Sequence, residues 1–198
     1  EEMSPDDRAR LFEELPAKVV RQLLDQLSPE ERKVTAELLG YEAETAGRLM
    51  TTEYIALKEN QTALEALDIV RRRARDTETI YSLYVTDNER RLTGILSLRD
   101  LVTADPHTLI RDVMTEEVLS VRTNTDQEKV ARTIQRYDFL AVPVVDLEQR
   151  LGGIVTGDDV IDVIEQEATR DLYAAGAVQA GDEDDYFSSN LFTVARRR

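Results

Sequence analysis

A chain of 198 residues with 25 Lys and Arg against 40 Asp and Glu, net charge −15, lacks the clustered cations that grip phosphate; nucleic acid is excluded, and cations or basic proteins are its natural counterparts. Its 41% hydrophobic content is enough for a core, and with no cysteine it has no disulfide framework, thiol nucleophile or Cys-based zinc site. No run of about 20 apolar residues spans a membrane, and no signal peptide is visible.

Residues 1–47 read as short helices. Ser4-Pro5-Asp6-Asp7 is a start signal: serine as N-cap, proline in the first turn, acids at the positive end of the helix dipole. Leu11, Phe12 and Leu15 form one apolar stripe; Pro16 interrupts it; Val19, Val20, Leu23, Leu24 and Leu27 form a second. Ser28-Pro29-Glu30-Glu31 repeats the signal, with Glu31 at capping-box spacing, and Val34, Leu38 and Leu39 follow before Gly40. This reads as the last part of a helical stack, and the chain as a piece of something longer.

Residues 50–165 hold an internal repeat. Met50-Thr51 and Met114-Thr115 open two segments, each with a β-branched strand pattern (Tyr54 to Leu57, Val118 to Val121). Each continues with an amphipathic helix, through Leu64, Leu67 and Val70, then through Val130 and Ile134. Two apolar strands around a turn follow, with Asp87 and Asp146 in equivalent positions before the turn. Each unit closes on a hydroxyl and an acid leading into a helix, Ser97-Leu98-Arg99-Asp100 and Thr156-Gly157-Asp158-Asp159. The first copy is longer around Arg72 to Glu78. Such β-α-β-β-α units bury one sheet face each and pack as a pair, so the fold class is α+β.

The helix that starts at Asp158 carries acids in register with its apolar face. Asp159 and Asp162 are three apart, Asp158 and Asp162 four, Glu167 and Asp171 four, and like charges at those spacings repel. Only Arg170 stands nearby in sequence as an opposing charge, and a second acidic run, 182–185, follows. Either these are solvated faces, or something neutralises them.

Together, Gly47-Arg48-Leu49-Met50-Thr51, Ser97-Leu98-Arg99-Asp100-Leu101, Thr125-Asp126-Gln127-Glu128, Tyr137-Asp138-Phe139, Pro143-Val144-Val145-Asp146 and the run from Asp158 to Val163 resemble a tandem pair of CBS domains. More narrowly, they resemble the cytosolic region of MgtE-type magnesium transporters and channels. The resemblance divides the chain into a partial N-terminal helical domain (1–47), a first CBS domain (48–107), a second (108–170), and a linker with a connecting, or plug, helix (171–198). It implies a homodimer on the cytoplasmic face of the cell's inner membrane, attached to its own transmembrane pore domain outside this chain. In the family this region senses Mg²⁺ bound between acidic surfaces and closes the pore. The ion-binding acids so implied are Asp126, Glu128, Asp138, Asp159, Asp162, Glu167 and Asp171, with Asp6 or Asp7 from the helical domain. Arg170 stands where relatives often carry another acid, a departure at that end.

The alternative is adenine-nucleotide sensing. The resemblance implies ATP or AMP at Ser97, Arg99, Asp100 and Phe139, with Thr156 and Asp159 the matching pair in the second repeat. An enzyme is not expected: there is no P-loop, no Gly-x-Gly-x-x-Gly and no Ser/His/Asp arrangement, and His107 reads as a linker residue after Pro106. The carboxylate pairs are expected on an exposed helix without a pocket.

Overall fold

In the computed structural model, which describes residues 3–165 and 168–170, the opening segment forms α1 (Pro5–Glu14), α2 (Ala17–Leu24) and α3 (Pro29–Leu39). Ser28 caps α3 with a full capping box: the Glu31 amide donates to Ser28 Oγ and the Ser28 amide to Glu31 Oε2. Ser4 precedes α1 in extended backbone but makes no side-chain cap. Pro16, which has no N–H to continue α1, separates it from α2. Ala9, Phe12 and Leu38 are buried where α1 crosses α3. Arg8 is buried there too, ion-paired with Glu31 at 3.3 Å and donating to the Met3 carbonyl. The second apolar stripe behaves otherwise: no α2 residue is buried, because α1 packs on α3 and α4 (Ala46–Leu49) and leaves α2 outside.

The two repeats follow the expected order. The first runs β1 (Ala56–Lys58), α5 (Ala63–Arg73), β2 (Ser82–Thr86), β3 (Leu92–Ser97) and α6 (Leu98–Thr103). After a 3-10 turn at Ile110–Asp112, the second runs β4 (Val121–Arg122), α7 (Gln127–Tyr137), β5 (Ala141–Val145), β6 (Leu151–Thr156) and α8 over 157–165. Each forms a three-stranded sheet, its first strand parallel to the second and the second antiparallel to the third, with a register shift at the same place, Val85/Thr86 and Val144/Val145. Asp87 and Asp146 fold their hairpin turns identically, each Oδ1 accepting from the amides two and four residues on.

Two details differ from the sequence reading. The entry strands start later, at Ala56 and Val121. In α5 the core face is Ala63, Ala66 and Val70, while Leu64 is 47% exposed, since the two alanines let the helix lie close on its sheet.

The repeats clasp each other reciprocally. Thr51 exchanges backbone hydrogen bonds with Ile154 of the other repeat's hairpin, and Thr115 does the same with Ile95. Met50 lies over Gly153 and Met114 over Gly94. Between the sheets, Tyr84, Ala141, Leu151 and Ile154 form a shared core with Tyr54, Leu92 and Ile95 packed on it. Tyr84 Oη is buried there with no hydrogen-bond partner among the described residues. Leaving such a group unpaired costs about 1 kcal/mol or more, so Tyr84→Phe should raise the melting midpoint by about 2–4 °C in calorimetry. A fall would show that the hydroxyl is satisfied in solution.

The helical domain shares its apolar core with the second repeat, and meets the first through polar contacts, Glu13 with Arg48 among them. Ala9 and Leu38 belong to the same buried cluster as Val121, Val130, Val142, Val155 and Val163 of the second repeat, whereas the first repeat has a separate core.

Candidate functional site

That one-sided packing sets α1 across from α8 over a cleft of about 440 Å³. Residues spaced three and four apart line each wall: Asp6, Asp7, Arg10, Glu13 and Glu14 on α1, and Asp159, Asp162 and Val163 on α8. Glu44, Thr45, Arg48, Leu49 and Gln127 close the end. Seven carboxylates thus face two guanidinium groups. Arg48 pairs with Glu13 and donates to the carbonyls of Leu39 (2.9 Å) and Tyr41 (2.5 Å), tying the C-terminal end of α3 to α4. Arg10 reaches across the cleft to Asp162 at 2.7 Å, a bond that raises the pKa of the guanidinium further above its ordinary value.

Among the described residues Asp6 and Asp159 form no ion pair, Arg10 reaching Asp159 only as a more distant charge. Burial pushes the Asp159 carboxyl up to about 7, and the charges of Asp6 and Asp158 add to it, against the pull of the Thr156 hydroxyl, which donates to Asp159 Oδ2 at 2.6 Å. Asp6 is also raised, by burial first and by Asp7 second, with its own amide and Ser4 acting the other way. Its Oδ1 is buried without a hydrogen-bond partner among the described residues. Beside them Glu78 is raised by burial and then by Asp6, Asp158, Glu53 and Asp7. Eight residues (74–81) connect α5 to β2 where three (138–140) connect α7 to β5, and this longer link carries Glu78, its amide donating to the Glu53 carbonyl at 2.8 Å.

Of the acids singled out from the sequence, the structure brings together Asp6, Asp7, Asp159 and Asp162. It sets the other described ones apart. Asp126 is the N-cap of α7, Oδ1 accepting from the Glu128 and Lys129 amides; Glu128 pairs with Arg132; Asp138 closes the helix at φ 54°. Helix geometry puts Asp126 about 18 Å from Asp138, too far to share one ion. Glu167, Asp171, the run 182–185 and the connecting helix lie outside the described residues. Among the described residues no three acidic or histidine side chains converge tightly enough to hold a metal on their own.

One expectation is corrected, and further residues join the set. The acids of α8 are not all on an open helix: Asp159 is half-buried under α1 and lines a cleft. Arg170, the cation nearest these acids in sequence, pairs with Glu44 at 2.6 Å, and Arg10 of α1 takes Asp162. Arg10, Glu13, Glu14, Glu44 and Glu78 were absent from the sequence-derived set. The spacing of Arg10, Glu13 and Glu14 after Asp6, on one helix face, was the available signal for three of them.

The nucleotide candidates form the equivalent element of the first repeat. Ser97, N-cap of α6, accepts from the Asp100 amide and donates to Asp100 Oδ2 at 2.5 Å, as Thr156 does to Asp159. Asp100 and Arg99 are exposed. Phe139, half-buried, stacks on Tyr137 with ring centres 5.5 Å apart and planes at 19°.

The family model described as the MgtE intracellular N domain matches residues 1–44, and that of the CBS domain matches 46–107 and 110–166. The chain is similar to the magnesium transporter MgtE of Thermus thermophilus, 52% identical over 162 residues, covering 82% of this chain and 36% of that protein. Against MgtE of Enterococcus faecalis it is 47% identical, covering 85% and 36%. It thus spans little more than a third of these relatives' length. Among solved structures, the soluble part of a magnesium transporter superposes with a TM-score of 0.82 at 48% identity, over 84% of this chain and 65% of that one. The cytosolic domain of the Mg²⁺ channel MgtE in complex with ATP gives 0.79 at 48%, over 81% and 66%. These relatives are transporters and a channel rather than enzymes.

Proposed function

This chain belongs to the MgtE family, an N domain of that family followed by a CBS pair, and from that premise we propose that it is the magnesium-responsive part of a transporter, closed when Mg²⁺ binds between α1 and α8. The observation that carries the reading is the Asp6–Asp159 pair: half-buried carboxyls from two domains, both held above their ordinary range and, among the described residues, one with an orphaned oxygen and neither in an ion pair. An all-oxygen set too sparse to cage a metal fits Mg²⁺, which keeps several waters and takes one or two carboxylates. Asp6 and Asp159 would hold it, and its charge would cancel their repulsion. Asp162, already neutralised by Arg10, would be a weaker ligand, and Asp7 stands beside Asp6 in the same cleft.

The chain's own residues set this up. Thr156 fixes one Asp159 oxygen, the start of α1 fixes Asp6, and the apolar contact of Ala9 and Leu38 brings the two walls together. Without the ion, the charges of Asp6 and Asp159 repel, which adds to burial in holding Asp159 above its ordinary range. The rest of the proposal follows the family. Asp126, Glu128, Asp138, Glu167 and Asp171 serve further ions, and the region sits on the cytoplasmic face of the membrane, coupled to its pore domain as a homodimer. A second copy has a surface to meet: Tyr81 and Leu140, and Val102 and Ile161, are exposed apolar residues at matching positions of the two repeats.

The test is limited proteolysis and X-ray scattering of the chain in chelator and in rising Mg²⁺. Millimolar Mg²⁺ alone should compact the chain and slow cleavage of the 40–45 link. Identical profiles in both buffers would overturn the reading. A second reading rests on the Ser97–Asp100 element and on the ATP complex of a relative: ATP held at Ser97, Arg99, Asp100 and Phe139 as a modulator. Protection by ATP but not by Mg²⁺ would make it the leading one.

A further inference from the structure

We propose that Arg10 is a tethered counter-cation that holds the N domain against α8 in the absence of metal, so that the closed arrangement does not depend wholly on a bound ion. The proposal rests on the ion-responsive reading only for what Mg²⁺ adds; the latch itself follows from geometry. Arg10 leaves α1 and meets Asp162 of α8 at 2.7 Å, an ion pair between domains 152 positions apart in sequence, with both side chains about half exposed (41% and 49%). Asp7 and Asp159 also bear on the same guanidinium. The other cations around the cleft are committed elsewhere: Arg48 to Glu13 and the carbonyls ending α3, and Arg170 to Glu44. Among the described residues lining the cleft, Arg10 is the cation aimed at the acids of α8.

The cleft is thereby divided. Its Asp162 end is paired directly with a positive charge supplied by the chain, and its Asp6–Asp159 end, among the described residues, has no ion pair. Part of the repulsion that would part the domains is cancelled in advance, and a metal ion acts on the remainder.

The experiment uses the 198-residue chain with R10Q, R10K, D162N and R10Q/D162N variants. Cleavage of the 40–45 link and the scattering radius are read in chelator and in magnesium chloride. In chelator, R10Q should be cleaved about three- to fivefold faster than wild type, as expected for losing one partly exposed ion pair. R10K, which keeps the charge, should stay near wild type, and R10Q/D162N should be no more open than R10Q. R10Q cleaved at the wild-type rate in chelator, or effects of R10Q and D162N that simply add, would overturn the latch. If R10Q opens in chelator and Mg²⁺ recloses neither it nor wild type, the latch is supported and the ion reading is overturned. Circular dichroism of each variant separates opening from unfolding.

Discussion

Asp159→Asn should raise the melting midpoint of the ion-free chain at pH 7.5 by several degrees, about 1–3 kcal/mol, and abolish most of the protection given by Mg²⁺. The folded carboxyl titrates near 7 against an ordinary value of 3.8. Each unit corresponds to about 1.4 kcal/mol, so the shift sets a ceiling near 4 kcal/mol, reduced by the residue's partial contact with solvent and its sharing of the burden with Asp6. The sign follows from proton counting. Below about pH 4 both folded and unfolded chains hold the proton, and the stabilisation is whole. Between about 4 and 7 the folded chain keeps a proton that the unfolded chain has released, so stability falls as pH rises, and the loss is complete above about 7. Asparagine removes that slope while its oxygen can still accept from Thr156. Thermal melts in chelator from pH 4 to 8 check this. A wild-type curve no steeper across the window than that of Asp159→Asn would refute the assignment, as would undiminished Mg²⁺ protection of the variant.

Gly153→Ala should cost about 3 kcal/mol in urea denaturation, and Gly94→Ala about 1 kcal/mol or less, although the two glycines occupy equivalent places. A methyl at Gly153 would stand 2.6 Å from the Thr51 carbonyl oxygen and 2.8 Å from Met50 Cγ. The carbonyl is part of the hydrogen-bonded exchange between Thr51 and Ile154, so the clasp must open to admit it. At Gly94 the nearest atom, at 2.5 Å, is Met114 Sδ, the far end of a flexible side chain that can swing away. Equal losses at both positions would mean that the two clasps yield alike.

The doubled architecture was legible because duplication writes its pattern twice. The turn acids Asp87 and Asp146, the paired hydroxyl–acid steps and the Met-Thr openings each recur in order, and the structure superimposes their roles. The capping box at Ser28 was legible from local spacing alone. The cleft was not. Asp6 and Asp159 were named through likeness to a family, since no local rule places a residue of the first helix over one 153 positions later. Arg10 escaped notice because an arginine four residues after an aspartate looks like an ordinary helix-surface partner; only packing aims it at Asp162. Leu64 misled for the opposite reason, a large apolar residue in plausible register where two small ones do the burying.

The helical domain buries its apolar face on the second repeat, and this breaks an equality that the duplication created. The step at Ser97 and Asp100 stays open to solvent, while its twin at Thr156 and Asp159 is roofed by the first helix. With the roof down, a small molecule that reads such a step finds one doorway per chain instead of two. The two copies therefore stand at different distances from solution: the open one meets whatever diffuses in, the covered one only what passes its lid.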